Sequence, residues 1–478
     1  PCMPGTLMAE ACVQTMSFYL AALGFTADKD GWQFEPIIDQ AYEFICRGQV
    51  TPADVVLEYE LMVIELTNTD TPQLIATLLC TANGLKIFHC PRFGLQLSPD
   101  WPLDTQACSQ IQPKYLANSD VRGDYVGMLA CAWGKPTDAF GALYQDYNNG
   151  RVISRLPGPP YHFISEVSAV SEPPGQAIKG LTMTCQYYIP EDAWYFQQNH
   201  QAIMPFCVLL EVLLQPCGWL GSYAGLALSD QDLNIRNLDG RHATIVQTVT
   251  AKPSSRIETT VTLIDHSRLK DMSLMTLEVV ATLNNQPLAT LDTTFGFFSQ
   301  QALSKQVGLP LICPDIDQQT QPINPAIKQH LGRSQLCLLD AISHLDLQGG
   351  HDRLGLIVAT QTVDPTAWYF KAHFFQDPVQ PGSLGLEALL QLSQVFMLEA
   401  DYHQQCPHPR FDAIGLSQPF DWQYRGQVVP SNKQVITQIE IKQVEHAEHS
   451  VTATANGTLS VDGKCIYQAT GLSMTLYR

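Results

Sequence analysis

Three times along the chain a proline is followed by a glutamate six residues on and a glutamine four beyond that: Pro4/Glu10/Gln14, Pro205/Glu211/Gln215 and Pro381/Glu387/Gln391. Each triplet opens a segment with helical periodicity, expected over Gly5–Leu23, Phe206–Ala224 and Gly382–Ala400, and proline at the entry suits a helix start. The second and third helices are apolar nearly all round, as in Val208-Leu209-Leu210-Glu211-Val212-Leu213-Leu214-Gln215. A helix of that kind has to be enclosed by the fold rather than lie on its surface. A carboxyl group carried inward on such a helix costs several kcal/mol as a bare charge, so it must find partners or raise its pKa. The pattern therefore demands a shell able to wrap a buried helix, and it places one acid inside each shell.

Other landmarks keep the same register. Arg47-Gly48-Gln49-Val50 recurs as Arg425-Gly426-Gln427-Val428, 43 residues after Pro4 and 44 after Pro381. Trp194-Tyr195-Phe196 recurs as Trp368-Tyr369-Phe370, each after a strand-like run, Ile178–Ile189 and Leu354–Val363. Alternating stretches follow the helices at Val55–Leu66, Gly84–Leu97, Thr244–Ile264, Leu277–Leu283, Ala289–Phe298, Val435–Gln443, Ser450–Ser460 and Gly463–Leu476. Their period and their Gly/Asn turns mark antiparallel strands. The repeat divides the chain into a half unit at 1–98 and full units at 159–300 and 331–478. Between them, 99–158 and 301–330 are rich in Pro, Asp and Gln and are expected to be linkers over the surface, the first with a short helix near Asp124–Trp133. Opening on Pro1-Cys2-Met3 rather than on an initiator Met, the chain is expected to be a piece of a longer polypeptide.

Composition narrows the function classes. With 27 basic and 46 acidic residues in 478, the net charge of −19 argues against nucleic acid or an anionic membrane as partner. No apolar run is expected to reach the roughly 18 residues of a transmembrane span, since Glu211 interrupts Ile203–Leu214. The 14 cysteines come no closer than ten residues apart, which reads as reduced, buried thiols of a cytoplasmic protein and gives no zinc site. The pair His446 and His449 lies in a polar turn, so no metal is expected there either.

A buried acid tuned toward neutrality suits general acid–base work, and a base should stand near it. His373 lies fourteen residues before Glu387, in an aromatic loop that leads into the helix beginning at Gly382. The free N–H groups of that helix end can polarise a carbonyl oxygen. Base, acid and oxyanion donor together suit removal of a proton α to a carbonyl with loss of a β-hydroxyl.

The segment His373-Phe-Phe-Gln-Asp377-Pro378-Val379-Gln380-Pro381-Gly382-Ser-Leu-Gly385-Leu386-Glu387-Ala-Leu-Leu-Gln391 resembles the active-site segment of the bacterial 3-hydroxydecanoyl-ACP dehydratase/isomerase family, H-F-x-x-D-P-V-x-P-G-x-x-G-L-D-A-x-x-Q. The chain as a whole resembles the dehydratase region of multidomain polyunsaturated fatty acid synthases. The resemblance implies an α+β architecture of tandem hot-dog domains, each an antiparallel sheet wrapped around a long central helix, paired as double hot-dogs. It implies (3R)-hydroxyacyl thioesters as substrates and trans-2-enoyl thioesters as products. The acyl group would ride on the phosphopantetheine of an acyl carrier protein, with no other cofactor and with neighbouring synthase domains as partners. A double-bond shift is a further property of the family that sequence leaves open, as is a homodimer.

Carried over by position, His373 matches the catalytic histidine and Gly382 the residue whose N–H binds the thioester carbonyl. Glu10, Glu211 and Glu387 match the acid, with Glu in place of the family's Asp, and Gln14, Gln215 and Gln391 match the residue that hydrogen-bonds near it. The middle unit departs: Asn199 stands at the position of His373, His200 is one residue late, and Phe206 replaces the glycine. Because paired hot-dogs build each site jointly, His373 is expected to work with Glu211, while Glu387 faces Asn199. A hot-dog acyl-thioesterase or a non-catalytic acyl-binding module is the alternative; a thioesterase would more simply activate water with one acid.

Overall fold

The computed structural model describes all residues except 1, 28–31, 38–39, 70, 100–111, 150, 200–201, 253, 270, 311–319, 405 and 407. It forms two compact units, one of Pro1–Pro102 with Asn148–Arg151, the other of Leu103–Tyr147 with Val152–Arg478.

In the first unit the helix Gly5–Ala22 lies against a five-stranded antiparallel sheet ordered Trp32–Pro36, Leu85–Pro99, Gln73–Ala82, Leu57–Thr67, with Ile45–Cys46 added beside Leu85–Pro99. Met8, Cys12, Met16 and Leu20, spaced one helical turn apart, form its buried stripe. The other face is open: Phe18 is 75% exposed, and Leu7, Glu10 and Gln14 are exposed too.

The second unit is built on one antiparallel sheet of 14 strands. One half wraps the helix Phe206–Tyr223 and the other the helix Gly382–Glu399, each a hot-dog. The halves join edge to edge where Phe420–Tyr424 pairs with Leu233–Ile245, Trp422 opposite Gly240. Only glycine fits there, since a Cβ on Gly240 would stand 2.0 Å from the Trp422 ring. Every residue of the middle helix is buried, Glu211 and Gln215 included. By length and composition this 18-residue helix could cross a membrane, contrary to the expectation from Ile203–Leu214, but 94% of it is buried inside the fold. A buried leucine is worth about 2 kcal/mol, so its apolar surface is spent on this core.

The repeated motifs make repeated contacts. Arg47 N–H donates to Ile87 O and Arg425 N–H to Ile466 O, both at 2.8 Å. A Cβ on Gly48 would meet Ile87 at 2.4 Å, and one on Gly426 would meet Ile466 at 2.4 Å. The two Trp-Tyr-Phe blocks meet one another, with the Trp194 and Trp368 rings 5.5 Å apart, edge to face.

The segment 99–158 is not a surface linker in its described part. Its helix Tyr125–Trp133 buries Val126, Met128, Ala130 and Cys131, while Phe140 and Tyr144 pack on Trp219 and Tyr147. Its Pro and Asp content signals turns, yet the residues between the turns are large and apolar enough to enter the core. Most strands end close to their expected limits, but the strand expected from Leu277 begins at Met272, the run expected from Ile178 begins at Thr182, and Thr244–Ile264 is divided between Leu233–Ile245 and Arg256–Leu269. Phe420–Tyr424 adds a strand that the alternation did not reveal.

Candidate active site

The two enclosed helices run beside each other, and each carries its acid to the start of the other. The Ser383 hydroxyl, in the first turn of the last helix, donates to Glu211 Oε1 at 2.7 Å, while Gln215 Nε2 donates to Oε2 at 3.0 Å. Tyr161 Oη lies 3.0 Å from Ser383 Oγ and reaches the Cys207 carbonyl at 3.3 Å. On the opposite side, the Cys207 N–H, in the first turn of the middle helix, donates to Glu387 Oε2 at 3.0 Å. Burial pushes Glu211 up to about 7, against the pull of the Ser383 and Gln215 hydrogen bonds. Burial raises Glu387 as well, opposed chiefly by the N–H of Cys207.

His373 is 8% exposed and lies in one cavity with Glu211, Gln215, Gly382 and Ser383. Its Nδ1 is 3.0 Å from Val379 O. A carbonyl only accepts, so Nδ1 carries the proton and the Nε2 lone pair is left to act as base. Burial drives the imidazole down to about 3, with Arg236 adding to the effect. The histidine is thus neutral at neutral pH. Arg236, on the seam strand of the middle half, grips Asp377 with two bonds, 2.5 and 2.9 Å, and donates through Nε to Gln427 at 2.6 Å. It ties down the loop that carries His373. Arg155, Leu156 and Pro157, from the segment expected to be a linker, supply a wall of the cavity.

Gly382 lines the cavity as the first helical residue, so its N–H has no intrahelical acceptor. A side chain there would collide with Tyr424, whose Cε2 lies 2.7 Å from the Cβ position. Gln215 lines the cavity too, but its amide is committed to Glu211, Tyr161 O and the Phe163 N–H. Gln391 holds the equivalent backbone at Leu336 and Leu338 and is not among the residues lining this cavity. Glu387 is not brought to His373. It lines a second cavity with Asn199 and Pro205.

Asn199 occupies the place that sequence assigned to it. The Gly158 N–H donates to Ala372 O, just before His373, and the Arg333 N–H donates to Gln198 O, just before Asn199, both at 2.7 Å. Asn199 Nδ2 donates to Ile203 O as His373 Nδ1 does to Val379 O. His200 lies outside the described residues. Ser383, Tyr161, Arg236 and Tyr424 were missed by sequence reasoning. Only Tyr424 had a signal, its place next to the repeated Arg-Gly-Gln-Val.

Comparison with known proteins adds to this geometry. A polyunsaturated fatty acid synthase polypeptide of Thraustochytrium sp. (strain ATCC 26185 / S-3) is 24% identical over 329 residues, 62% of this chain. The chain spans about a fifth of that relative, 21% of its length. Among solved structures, the dehydratase domain from the CurJ module of curacin polyketide synthase aligns over 66% of this chain and 97% of its own, at 10% identity and a TM-score of 0.39. A putative MaoC domain protein dehydratase from Chloroflexus aurantiacus J-10-fl aligns over 64% and 99%, at 10% identity and a TM-score of 0.35. Two stretches, residues 1–90 and 331–470, match the FabA-like domain family. They hold the first and last of the three Pro/Glu/Gln helices and both copies of Arg-Gly-Gln-Val, so the match falls on the repeated motifs themselves.

Proposed function

We propose that the unit containing 152–478 is a hydro-lyase that dehydrates (3R)-hydroxyacyl thioesters to trans-2-enoyl thioesters within a polyunsaturated fatty acid synthase. The observation that carries the proposal is that His373 and Glu211, from different halves, line one cavity at the start of the helix Gly382–Glu399. His373 Nε2 takes the α-proton, electron density moves onto the thioester oxygen beside the Gly382 N–H, and the carboxyl of Glu211 protonates the departing β-hydroxyl as water. Gln215 and Ser383 hold that carboxyl. The acyl group arrives on the phosphopantetheine of a carrier protein, and no other cofactor enters the chemistry.

The test is hydration of a short enoyl thioester, followed by loss of enoyl absorbance and, in parallel, by thiol release. His373→Ala should abolish hydration without lowering Tm, and retention of more than a few per cent of the rate would sink the assignment. Thiol release in place of hydration would mark a thioesterase.

A further inference from the structure

The Tyr424 hydroxyl is buried and has no hydrogen-bond partner among the described residues. Its side chain is 6% exposed and lines the cavity of His373 and Glu211. Leaving such a group unsatisfied is costly, and native interiors rarely do so without a use for it. Its position is specific. The ring lies over Gly382, and the oxygen stands 3.1 Å from where a Cβ on Gly382 would be. The ring is fixed by tilted packing against Tyr467, with centroids 4.4 Å apart, and by the strand pairing of Tyr424 with Tyr467. At the matching place in the first unit, the residue before Arg47 is Cys46, whose sulfur is 3.1 Å from the Cβ position of Gly5. The first unit thus has no hydroxyl at this place.

We propose that Tyr424 is a second oxyanion donor, its O–H pointing with the Gly382 N–H at the thioester oxygen of the bound acyl group. The assignment rests on the dehydratase reading above. As His373 takes the α-proton, the C–H electron pair passes through the α-carbon to the thioester oxygen, and the two donors hold the resulting enolate. The pair then returns to form the C=C bond as the β-hydroxyl leaves with the proton of Glu211. Tyr424 itself is neither oxidised nor deprotonated. Burial holds its phenol far above the ordinary range, so it stays a donor throughout.

The experiment compares the parent chain with Tyr424→Phe and His373→Ala in hydration of an enoyl thioester, with Tm measured for each. Tyr424→Phe should lower kcat by at least about tenfold, the scale of a lost oxyanion donor, more than it changes KM. Its Tm should equal or exceed that of the parent, because the substitution removes an unsatisfied buried hydroxyl. A fall in kcat smaller than about tenfold, or one accompanied by a lower Tm, overturns the assignment. If His373→Ala keeps the parent's rate, the dehydratase reading itself falls, and Tyr424 with it. If His373→Ala is dead while Tyr424→Phe is active, only the Tyr424 assignment fails.

Discussion

The pocket of Glu211 and the pocket of Glu387 are built from equivalent parts and have become different things. In one, the acid meets a serine hydroxyl and shares its cavity with His373. In the other, the acid accepts from the backbone of Cys207 and shares its cavity with Asn199. Gly382 leaves room at one helix start, while at the other Phe206 fills the space and packs on Phe420, with ring centroids 5.6 Å apart. An acid held by helix N–H groups serves the fold, because it satisfies donors that a helix start leaves open. An acid held by a hydroxyl that can turn and accept in its own right can give up a proton and take it back. The difference lies less in the two glutamates than in what meets them.

The sharpest way to break this comparison is to neutralise each acid in turn. Glu211→Gln should lower enoyl-thioester hydration at least about a hundredfold, the scale of a lost positioned acid. Glu387→Gln keeps an oxygen to accept from Cys207 and should cost less than about threefold. The reverse order of effects would mean that His373 draws its acid from its own half. Next in size is Arg236→Ala, which leaves Asp377 without its partner beneath the His373 loop. It should destabilise by about 2–3 kcal/mol in chemical denaturation, less than for a fully buried pair because both groups keep some exposure, and it should lower activity as well.

Proton linkage sharpens the comparison further. In the proposed reaction His373 and Glu211 need one proton between them, and with Glu211 at about 7 and His373 at about 3 that proton resides on Glu211 until it is lost. On this basis kcat/KM should fall about tenfold per pH unit above roughly 7. The stability linkage has the same sign. Folding raises the pKa of Glu211, so the stability gained is complete below the ordinary glutamate range and is lost as pH rises through about 7. Glu211→Gln should therefore flatten the decline of Tm over that window. The smallest effect belongs to the third acid. Glu10 is exposed and bonded only to Gln14 among the described residues, and Glu10→Gln should leave both activity and Tm unchanged.

The sequence was informative where its signals were local and repeated. The three helices fall within a residue of their expected ends, because proline entries and apolar periodicity are properties of the segment itself. The spacing from His373 to Glu387 singled out the histidine and the acid position, but it could not show what carries Glu211, from the other half, into the cavity of His373. That depends on the seam between Leu233–Ile245 and Phe420–Tyr424, whose strands escaped notice. Leu233-Asn-Ile-Arg-Asn-Leu-Asp-Gly carries the Asn, Asp and Gly of a turn, and five residues are too few to display a period. Arg236 and Tyr424 sit on those two strands, so the missed strands also hid the residues they carry.

The seam has an evolutionary consequence. When two identical chains pair, every mutation strikes both pockets at once, and neither can be abandoned without the other. Here the two halves are successive stretches of one chain, sealed along one seam, and each position mutates alone. Selection can then guard a single pocket and leave the second free to drift. Asn199, Phe206 and the carboxylate resting on Cys207 show how far two pockets of one chain can stand apart under that freedom.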